Sequence, residues 1–186
     1  MYNEQVGTKL EVKLVAASVS PRAAVTVESR SIHGRPARGH GPHRIVVRVD
    51  GSDSSKQALR WAVRQSEATG GVVEAVTAWD FPQFDGSLGW LPPTSGDEAA
   101  LEARARGDLT ETISEAVASQ PSVEVRAEVR YGTPASVLPD AAHGASLLVV
   151  GSRGLGGFAG MLLGSVAQHC TQNAPCPVVV VRGDAQ

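Results

Sequence analysis

Three glycines and a serine near the end of the chain have the spacing of a phosphate-binding loop. Gly151 and Gly154 follow an apolar run at 146–150, and Gly164 and Ser165 come after nine further residues. Glycine lets backbone N–H groups approach an anion because no Cβ stands in the way. A helix that begins at Ser165 would add unpaired donors and the positive end of its dipole. The pattern therefore predicts a nucleotide site.

Two other glycine-rich signatures compete for this segment, and each lacks a residue that it requires. A Walker loop has Lys before its Ser, whereas the chain has Leu163-Gly164-Ser165. A dinucleotide fingerprint, G-x-G-x-x-A, fits 154–159, but it needs an acid about twenty residues later. No Asp or Glu lies between Asp140 and Asp184. The pattern that remains is G-x2-G-x9-G-S.

Alternating strand and helix patterns position this loop. Short apolar or β-branched runs indicate strands, and apolar residues at helical spacing indicate helices between them. Beyond residue 43 we predict strands at 45–49, 72–78, 123–129, 146–150 and 178–182, helices at 54–69, 97–119, 134–143 and 165–172, and a loop at 81–96. Five strands with four crossover helices imply an α/β fold with a mostly parallel, doubly wound sheet.

Several motifs, in this order, resemble those of the universal stress protein family. They are IVVRVDGS at 45–52, AVTAW at 75–79, YGTP at 131–134 and APCPVVVV at 174–181. With the G-x2-G-x9-G-S loop, they make residues 44–182 similar to the ATP-binding branch of that family. The resemblance implies a Rossmann-like fold, as in the adenine nucleotide alpha hydrolases. It also implies the strand order 3-2-1-4-5, with the five strands numbered along the chain.

In such sheets, ligands bind beyond the carboxyl ends of the strands where the winding direction reverses, here between the first and fourth strands. Asp50 follows the first strand and Gly151 follows the fourth, so the two should meet. The resemblance matches Asp50 to the family acid near the adenine and ribose. It matches Ala78 to the second-strand residue whose backbone contacts the base. Asp50 could instead form only a turn or a helix cap, as Asx residues often do.

The phosphates would be held by the glycine loop. Backbone N–H groups around Gly151, Gly154 and Gly164 and the Ser165 hydroxyl match the phosphate-binding positions of the family. Arg153 either contacts phosphate or is solvated, and the sequence favours neither. A Mg²⁺ ion held mainly by the triphosphate is expected, because this ion usually keeps water and phosphate ligands.

The domain shows no pattern of dedicated catalysis. It contains no Ser/His/acid triad order, no paired carboxylates at a shared site and no metal-ligand spacing. We therefore expect an ATP-binding stress-response sensor or regulator, with at most slow ATP hydrolysis and an unknown regulatory protein partner. One alternative is a nucleotide-independent dimeric interaction module of the same fold. Another is an adenylate-handling enzyme of a related fold, which would need S-G-G-x-D-S where the chain has DGSDS at 50–54.

Composition and charge exclude several other classes of partner. The chain has 186 residues, of which 42% are apolar, enough for one domain with a core. Residues 44–186 hold sixteen Asp/Glu against eleven Lys/Arg, which disfavours general nucleic-acid binding. No long apolar stretch suggests a membrane span or a secretory signal. Cys170 and Cys176 have neither zinc nor disulfide spacing, which is typical of a cytoplasmic protein.

The first residues differ in composition from the rest. Residues 1–43 hold six Lys/Arg against three Asp/Glu, and the Gly/Pro/Arg/His run at 31–43 predicts a disordered linker. We therefore divide the chain into a poorly ordered extension at 1–43 and a universal-stress-like domain at 44–186. The extension could be a basic interaction arm, a metal-binding tail through its histidines, or dispensable.

The last predicted strand is an apolar edge. The segment at 177–182 consists of Pro, four Val and Arg. An exposed edge of this kind invites pairing with another chain, so we expect a homodimer through it. The resemblance implies the same mode of association.

Overall fold

The sheet of this protein is parallel throughout. A computed structural model describes residues 25–28, 43–81, 95–117, 123–156 and 163–182. Within these ranges the strands are β1 Val25–Glu28, β2 Arg44–Arg48, β3 Val72–Trp79, β4 Val125–Tyr131, β5 Leu147–Gly151 and β6 Val178–Val181. They form one sheet in the order β1-β4-β3-β2-β5-β6, and each neighbouring pair is parallel.

Capping residues stand at the start of three of the four helices in the described residues. The four helices are α1 Asp53–Thr69, α2 Ser95–Val117, α3 Pro134–Ala141 and α4 Ser165–Asn173. Ser52 caps α1 with its side-chain oxygen, and Gly70 ends that helix with φ +67°, which favours glycine. Thr133 caps α3 in the same way. α4 differs because its N-cap is Gly164, which has no side chain to occupy the first N–H groups.

Two apolar cores lie on opposite faces of the sheet. Alternate side chains of each strand point to opposite faces, so each strand contributes to both cores. α1 and α2 cover one face, where Leu59, Leu109 and Ile113 are buried. α3 and α4 cover the other face, where Leu138 and Cys170 are buried. Burying each large aliphatic side chain contributes roughly 1.5–3 kcal/mol, and this packing holds the strand ends in register.

The predicted α/β fold class is confirmed. The five strands predicted beyond residue 43 are present, and their order 3-2-1-4-5 is β4-β3-β2-β5-β6 in the structure. Most boundaries differ from the prediction by one or two residues. α2 begins at Ser95, so the last two residues of the loop predicted at 81–96 are helical instead. The remainder of that loop after Phe81 and before Ser95 lies outside the described residues.

One strand was not predicted. β1 pairs with β4, with Val25 opposite Val125 and Glu28 opposite Glu128. It lies inside the range 1–43, for which we predict a poorly ordered extension, and these four residues form a strand instead. The other residues of that range, apart from His43, lie outside the described residues, and the division of the chain at residue 44 stays a prediction.

The helices were also compared with the length and hydropathy that a membrane span requires. Among the described residues, no helix is long and apolar enough to cross a bilayer.

Candidate functional site

The winding direction of the sheet reverses between β2 and β5. β3 and β4 lie on one side of β2, and β5 and β6 lie on the other. Asp50 lies two residues beyond β2, and Gly151 ends β5. The first turn of α1 connects them, because the Ser54 hydroxyl donates a hydrogen bond to the carbonyl of Arg153. The structure therefore brings the acid and the glycine loop to one edge of the sheet.

Both carboxylate oxygens of Asp50 have neighbours. Oδ1 accepts hydrogen bonds from the Ser52 N–H at 3.2 Å and from the Ser52 hydroxyl at 2.6 Å. Oδ2 lies 2.8 Å from Nη1 of Arg48, an ion-pair contact without hydrogen-bond alignment. Burial acts to raise the pKa of Asp50, but the charge of Arg48 and the Ser52 hydrogen bonds outweigh it. The pKa of Asp50 is therefore below its ordinary value of 3.8, and the group is a carboxylate at neutral pH.

Arg48 is a site residue that the sequence patterns did not predict. It is the last residue of β2, and its side chain is only 12% exposed. Strand alternation places it on the same face as Val46, which belongs to the core beneath α3 and α4. The signal that could have identified Arg48 is a single charge within the apolar run at 45–49. Its two-residue spacing from Asp50 puts the two side chains on one face.

Gly154 lies directly on the pair formed by Arg48 and Asp50. A Cβ at this position would stand 2.7 Å from Asp50 Oδ2 and 3.2 Å from Arg48 Nη1. Real Cβ atoms do not approach other atoms to 2.7 Å, so any other residue would displace the loop or the pair. The φ angle of Gly154 is not positive. Close approach, and not backbone conformation, therefore favours glycine here, and a larger residue would shift the side chains of Asp50 and Arg48.

Backbone hydrogen bonds join the two ends of the glycine loop. The Gly164 N–H donates to the Ser152 carbonyl at 2.7 Å, and the Ser152 N–H donates to the Val181 carbonyl of β6 at 2.7 Å. A Cβ on Gly164 would lie 3.4 Å from the Ser152 carbonyl oxygen and 3.9 Å from the Gly154 nitrogen. The start of α4 therefore lies against the backbone of residues 152–154, close to the nitrogen of Gly154. Residues 157–162 of the loop lie outside the described residues.

The first turn of α4 adds further donors next to this loop. Gly164 accepts from the Gln168 N–H, which starts the helical ladder, and Ser165 is exposed in the first turn. The N–H groups of Ser165, Val166 and Ala167 have no partner within the helix, as at every α-helix start. Donors of this kind, at the positive end of a helix dipole, attract an anion.

The three other predicted site residues occupy different parts of the edge. Gly151 is buried against α1, because a Cβ there would stand 2.6 Å from Ser54 Oγ. Arg153 is exposed, and it contacts α1 only through its main-chain carbonyl among the hydrogen bonds of the described residues. Ala78 is half-buried in β3, and the register of Arg48 with Val76, continued by two residues, aligns Ala78 with Asp50.

The described residues around the loop include hydrogen-bond donors and charged groups. No cluster of three or more His, Cys, Asp or Glu that could hold a metal occurs within them. The nearby thiol of Cys170 is buried, and burial raises its pKa to about 11, so that it is protonated at neutral pH. The edge thus supplies main-chain donors, the guanidinium groups of Arg48 and Arg153, and the carboxylate of Asp50. These are the groups that bind phosphates and sugar hydroxyls.

Comparison with known proteins identifies relatives over most of the chain. Residues 42–182 match the model of the universal stress protein family. A universal stress protein of Mycolicibacterium smegmatis is 34% identical over 152 residues, which cover 81% of this chain and 50% of that protein. The chain spans about half the length of the curated relatives that it matches.

Solved structures resemble the fold. The universal stress protein UspA from Lactobacillus plantarum has a TM-score of 0.62 and 24% identity, covering 77% of this chain and 100% of that chain. A universal stress protein solved in complex with cAMP is 27% identical and covers 77% of this chain and 98% of its own. Its TM-score of 0.49 is too low for its ligand to bear on this chain.

Proposed function

The chain belongs to the universal stress protein family, and from this premise we propose that its domain binds an adenine nucleotide at the carboxyl edge between β2 and β5. The nucleotide is ATP with Mg²⁺, as expected from the G-x2-G-x9-G-S loop. Nucleotide occupancy would order this loop and alter the surface seen by a regulatory protein partner. The protein is then a nucleotide-dependent sensor or regulator in the cytoplasm.

The observation that carries this proposal is the approach of the two ends of the loop. The Gly164 N–H is bonded to the Ser152 carbonyl, and the Gly154 nitrogen lies 3.9 Å from the position that a Cβ on Gly164 would take. An anion between Gly154 and the first turn of α4 would meet main-chain donors from both sides. The hydroxyl of Ser165 stands at the start of the same turn and would donate to a phosphate oxygen.

The adenosine part of the ligand would lie towards β2 and β3. Asp50 is the ionised acid of this edge, and a carboxylate is suited to accept hydrogen bonds from ribose hydroxyls. The main chain of Ala78 would contact the base, for which the identity of the side chain is unimportant. Mg²⁺ would be held mainly by the phosphates.

Hydrolysis is at most slow in this proposal. Phosphoryl transfer requires a positioned nucleophile or water together with cations around the transferred group. Arg153 and Arg48 are cations at this edge, but no described side chain stands where a base for water is evident. The acidic charge of residues 44–186 also favours a small-molecule ligand over nucleic acid.

A second subunit would pair through β6. No other strand of the described residues lies beyond β6, and its four valines are each only half-buried. Pairing of two such edges, with Pro177–Arg182 of each chain, would cover these side chains and complete the backbone hydrogen bonds. The proposed assembly is therefore a homodimer through this strand.

Calorimetric titration of ATP with Mg²⁺ tests the nucleotide proposal. We expect micromolar binding by the wild type and its loss in the double variant Gly164→Ala, Ser165→Ala. The methyl group added at residue 164 would enter the space beside the Gly154 nitrogen. The change at residue 165 would remove the serine hydroxyl from the first turn of α4. At 3.4 Å from the nearest atom, that methyl group is in ordinary contact and the variant should fold, which circular dichroism would verify.

Gly156→Ala is the matched control. It adds a methyl group to the same loop at a position where no atom of the described residues lies within 4 Å. If this variant binds ATP as the wild type does, the loss of binding in the double variant is caused by the changes at Gly164 and Ser165. It is then not a general effect of adding a methyl group to the loop. If the wild type itself binds no ATP, the nucleotide proposal is wrong and the nucleotide-independent interaction module takes its place.

A further inference from the structure

A buried ion pair fills the part of the site where the sugar of a nucleotide would bind. The side chains of Arg48 and Asp50 are 12% and 14% exposed. Gly154 covers them so closely that a Cβ there would stand 2.7 Å from Asp50 Oδ2. A ribose hydroxyl therefore has no room between this oxygen and the loop. The ligand reaches Asp50 only if the pair opens.

Asp50 offers a ligand no accessible acceptor while the pair is closed, because Oδ2 accepts no hydrogen bond but is buried. Oδ1 accepts two hydrogen bonds from Ser52, and Oδ2 is in contact with Nη1 of Arg48. The Arg48 contact is an ion pair without hydrogen-bond alignment. The Ser52 contacts are local and also belong to the turn that starts α1. Arg48 is therefore the neighbour that a ligand hydroxyl would replace.

Arg48 then needs another anion. Its guanidinium is largely buried, and breaking a buried pair leaves an uncompensated charge that strongly disfavours the open state. Val46, Val76 and Val150 of the core lie on the same face. The buried carboxylates on that face, Glu74 and Glu128, already pair with Arg44 and Arg130. The positive charge of Arg48 also acts on Cys170 in α4, which places the guanidinium on the side of the sheet that α4 covers. The first turn of α4 is also where the phosphates are proposed to bind.

We propose that Arg48 is a ligand-binding residue, and that a phosphate of the bound nucleotide replaces Asp50 as its partner. This inference rests on the proposed nucleotide function. The exchange conserves ion pairing: the guanidinium passes from a carboxylate to a phosphate, for which its fork of donors is suited. Asp50 Oδ2 is released to the ribose in the same event. The site therefore selects for ligands that carry a phosphate and against the bare nucleoside.

Calorimetric titration with ATP and with adenosine tests this selection. We expect the wild type to bind ATP much more tightly than adenosine. In Arg48→Met the ATP dissociation constant should rise by about tenfold or more, as for the loss of one charge-assisted interaction. Adenosine should bind this variant at least as well as the wild type, because Asp50 no longer has a competing partner.

Two further variants serve as a charge control and as a conservative substitution of Arg48. Arg64→Met removes an exposed arginine from α1 and should leave both affinities unchanged, which controls for net charge. Arg48→Lys keeps the charge but loses the fork. It should fall between wild type and Arg48→Met for ATP, and it carries the test if circular dichroism shows Arg48→Met to be unfolded.

The two proposals fail in different ways. If the wild type binds ATP and the Arg48 variants bind it equally well, the role of Arg48 is wrong and the nucleotide site stands. The same holds if wild type binds adenosine as tightly as ATP. If the wild type binds neither ligand, the nucleotide site is wrong and the role of Arg48 fails with it.

Discussion

Asp50 shows how a neighbouring charge determines the ionisation of a single residue. Burial alone would raise its pKa, whereas Arg48 and Ser52 lower it by more. The unfolded chain therefore binds a proton at Asp50 more readily than the folded one. The stability that the ionised group contributes is complete above the ordinary pKa of 3.8 and is lost as the pH falls below that value.

Asp50→Asn should show this dependence. At neutral pH we expect the variant to lose about 2 kcal/mol of unfolding free energy, because Arg48 is left without its carboxylate partner. Below pH 3.8 the difference between the two proteins should shrink, since the wild type is losing the same charge. Urea denaturation at both pH values measures it, with Asp108→Asn, which removes an exposed carboxylate, as control. A difference that grows towards acid pH would contradict the assignment.

The sequence predicts part of this residue-level chemistry. The glycine spacing identifies the loop, and the position of Asp50 after a strand identifies the acid. Arg48 was missed because its two-residue spacing from Asp50 indicates a shared face, whereas the contact between the two side chains depends on how the chain turns after β2. The hydrogen bond from Ser54 to Arg153 was missed because it depends on how closely α1 approaches β5, which no local pattern encodes.

At the level of elements, the approach of α1 to β5 sets the shape of the site. Gly151 permits that approach, since a Cβ would stand 2.6 Å from Ser54 Oγ and 2.8 Å from its backbone carbon. Backbone atoms cannot move aside as a flexible side chain does. The first turn of α1 and the end of β5 therefore have to separate if this glycine is replaced.

Gly151→Ala should lower the unfolding free energy by about 1–3 kcal/mol, the usual range for overpacking. Gly107→Ala is its counterpart, because Gly107 is exposed within α2 and no atom lies within 4 Å of the added Cβ. It should raise stability by about 0.5–1 kcal/mol through helix propensity. Thermal denaturation of both variants measures the pair. Equal effects of one sign would show that packing against Ser54 is unimportant.

Element types could be predicted from the sequence better than element ends. The strand at 72–78 was predicted although Glu74 interrupts its apolar run, and the structure pairs this buried carboxylate with Arg44 at 2.8 Å. Where a helix begins or ends depends on its capping residues. α1 begins one residue before the predicted start because Ser52, and not a later residue, supplies the cap. β1 was missed because four alternating residues, Val25–Glu28, lie in a segment rich in turn and basic residues.

For the whole molecule, the exposed strand edge determines how two copies would associate. The carbonyls of Pro177 and Val181 accept hydrogen bonds from the N–H groups of Leu148 in β5 and of Ser152, the residue that follows β5. Backbone groups alternate in direction along a strand, so the N–H of Val180 points away from β5 and towards the open edge. This N–H would pair with a second subunit in the proposed homodimer.

Val180→Pro removes that donor and leaves the bonds to β5 in place. Proline is tolerated on an edge strand where its missing N–H faces outwards. Light scattering should give twice the chain mass of 19.3 kDa for the wild type and a single chain mass for the variant, with a native circular dichroism spectrum for both. A monomeric wild type, or a variant that still dimerises, would contradict association through β6.

The pairing of β1 with β4 has a consequence for the order in which the molecule folds. Val25 lies opposite Val125, so the two strands are 100 residues apart along the chain. Contacts of such long range form slowly, because the intervening chain has to be ordered first. Among the described strands, β1 is made first during synthesis, yet its partner emerges only after β2, β3 and α1 and α2. Of the strands described in that half of the sheet, the first to be made is therefore the last to be paired.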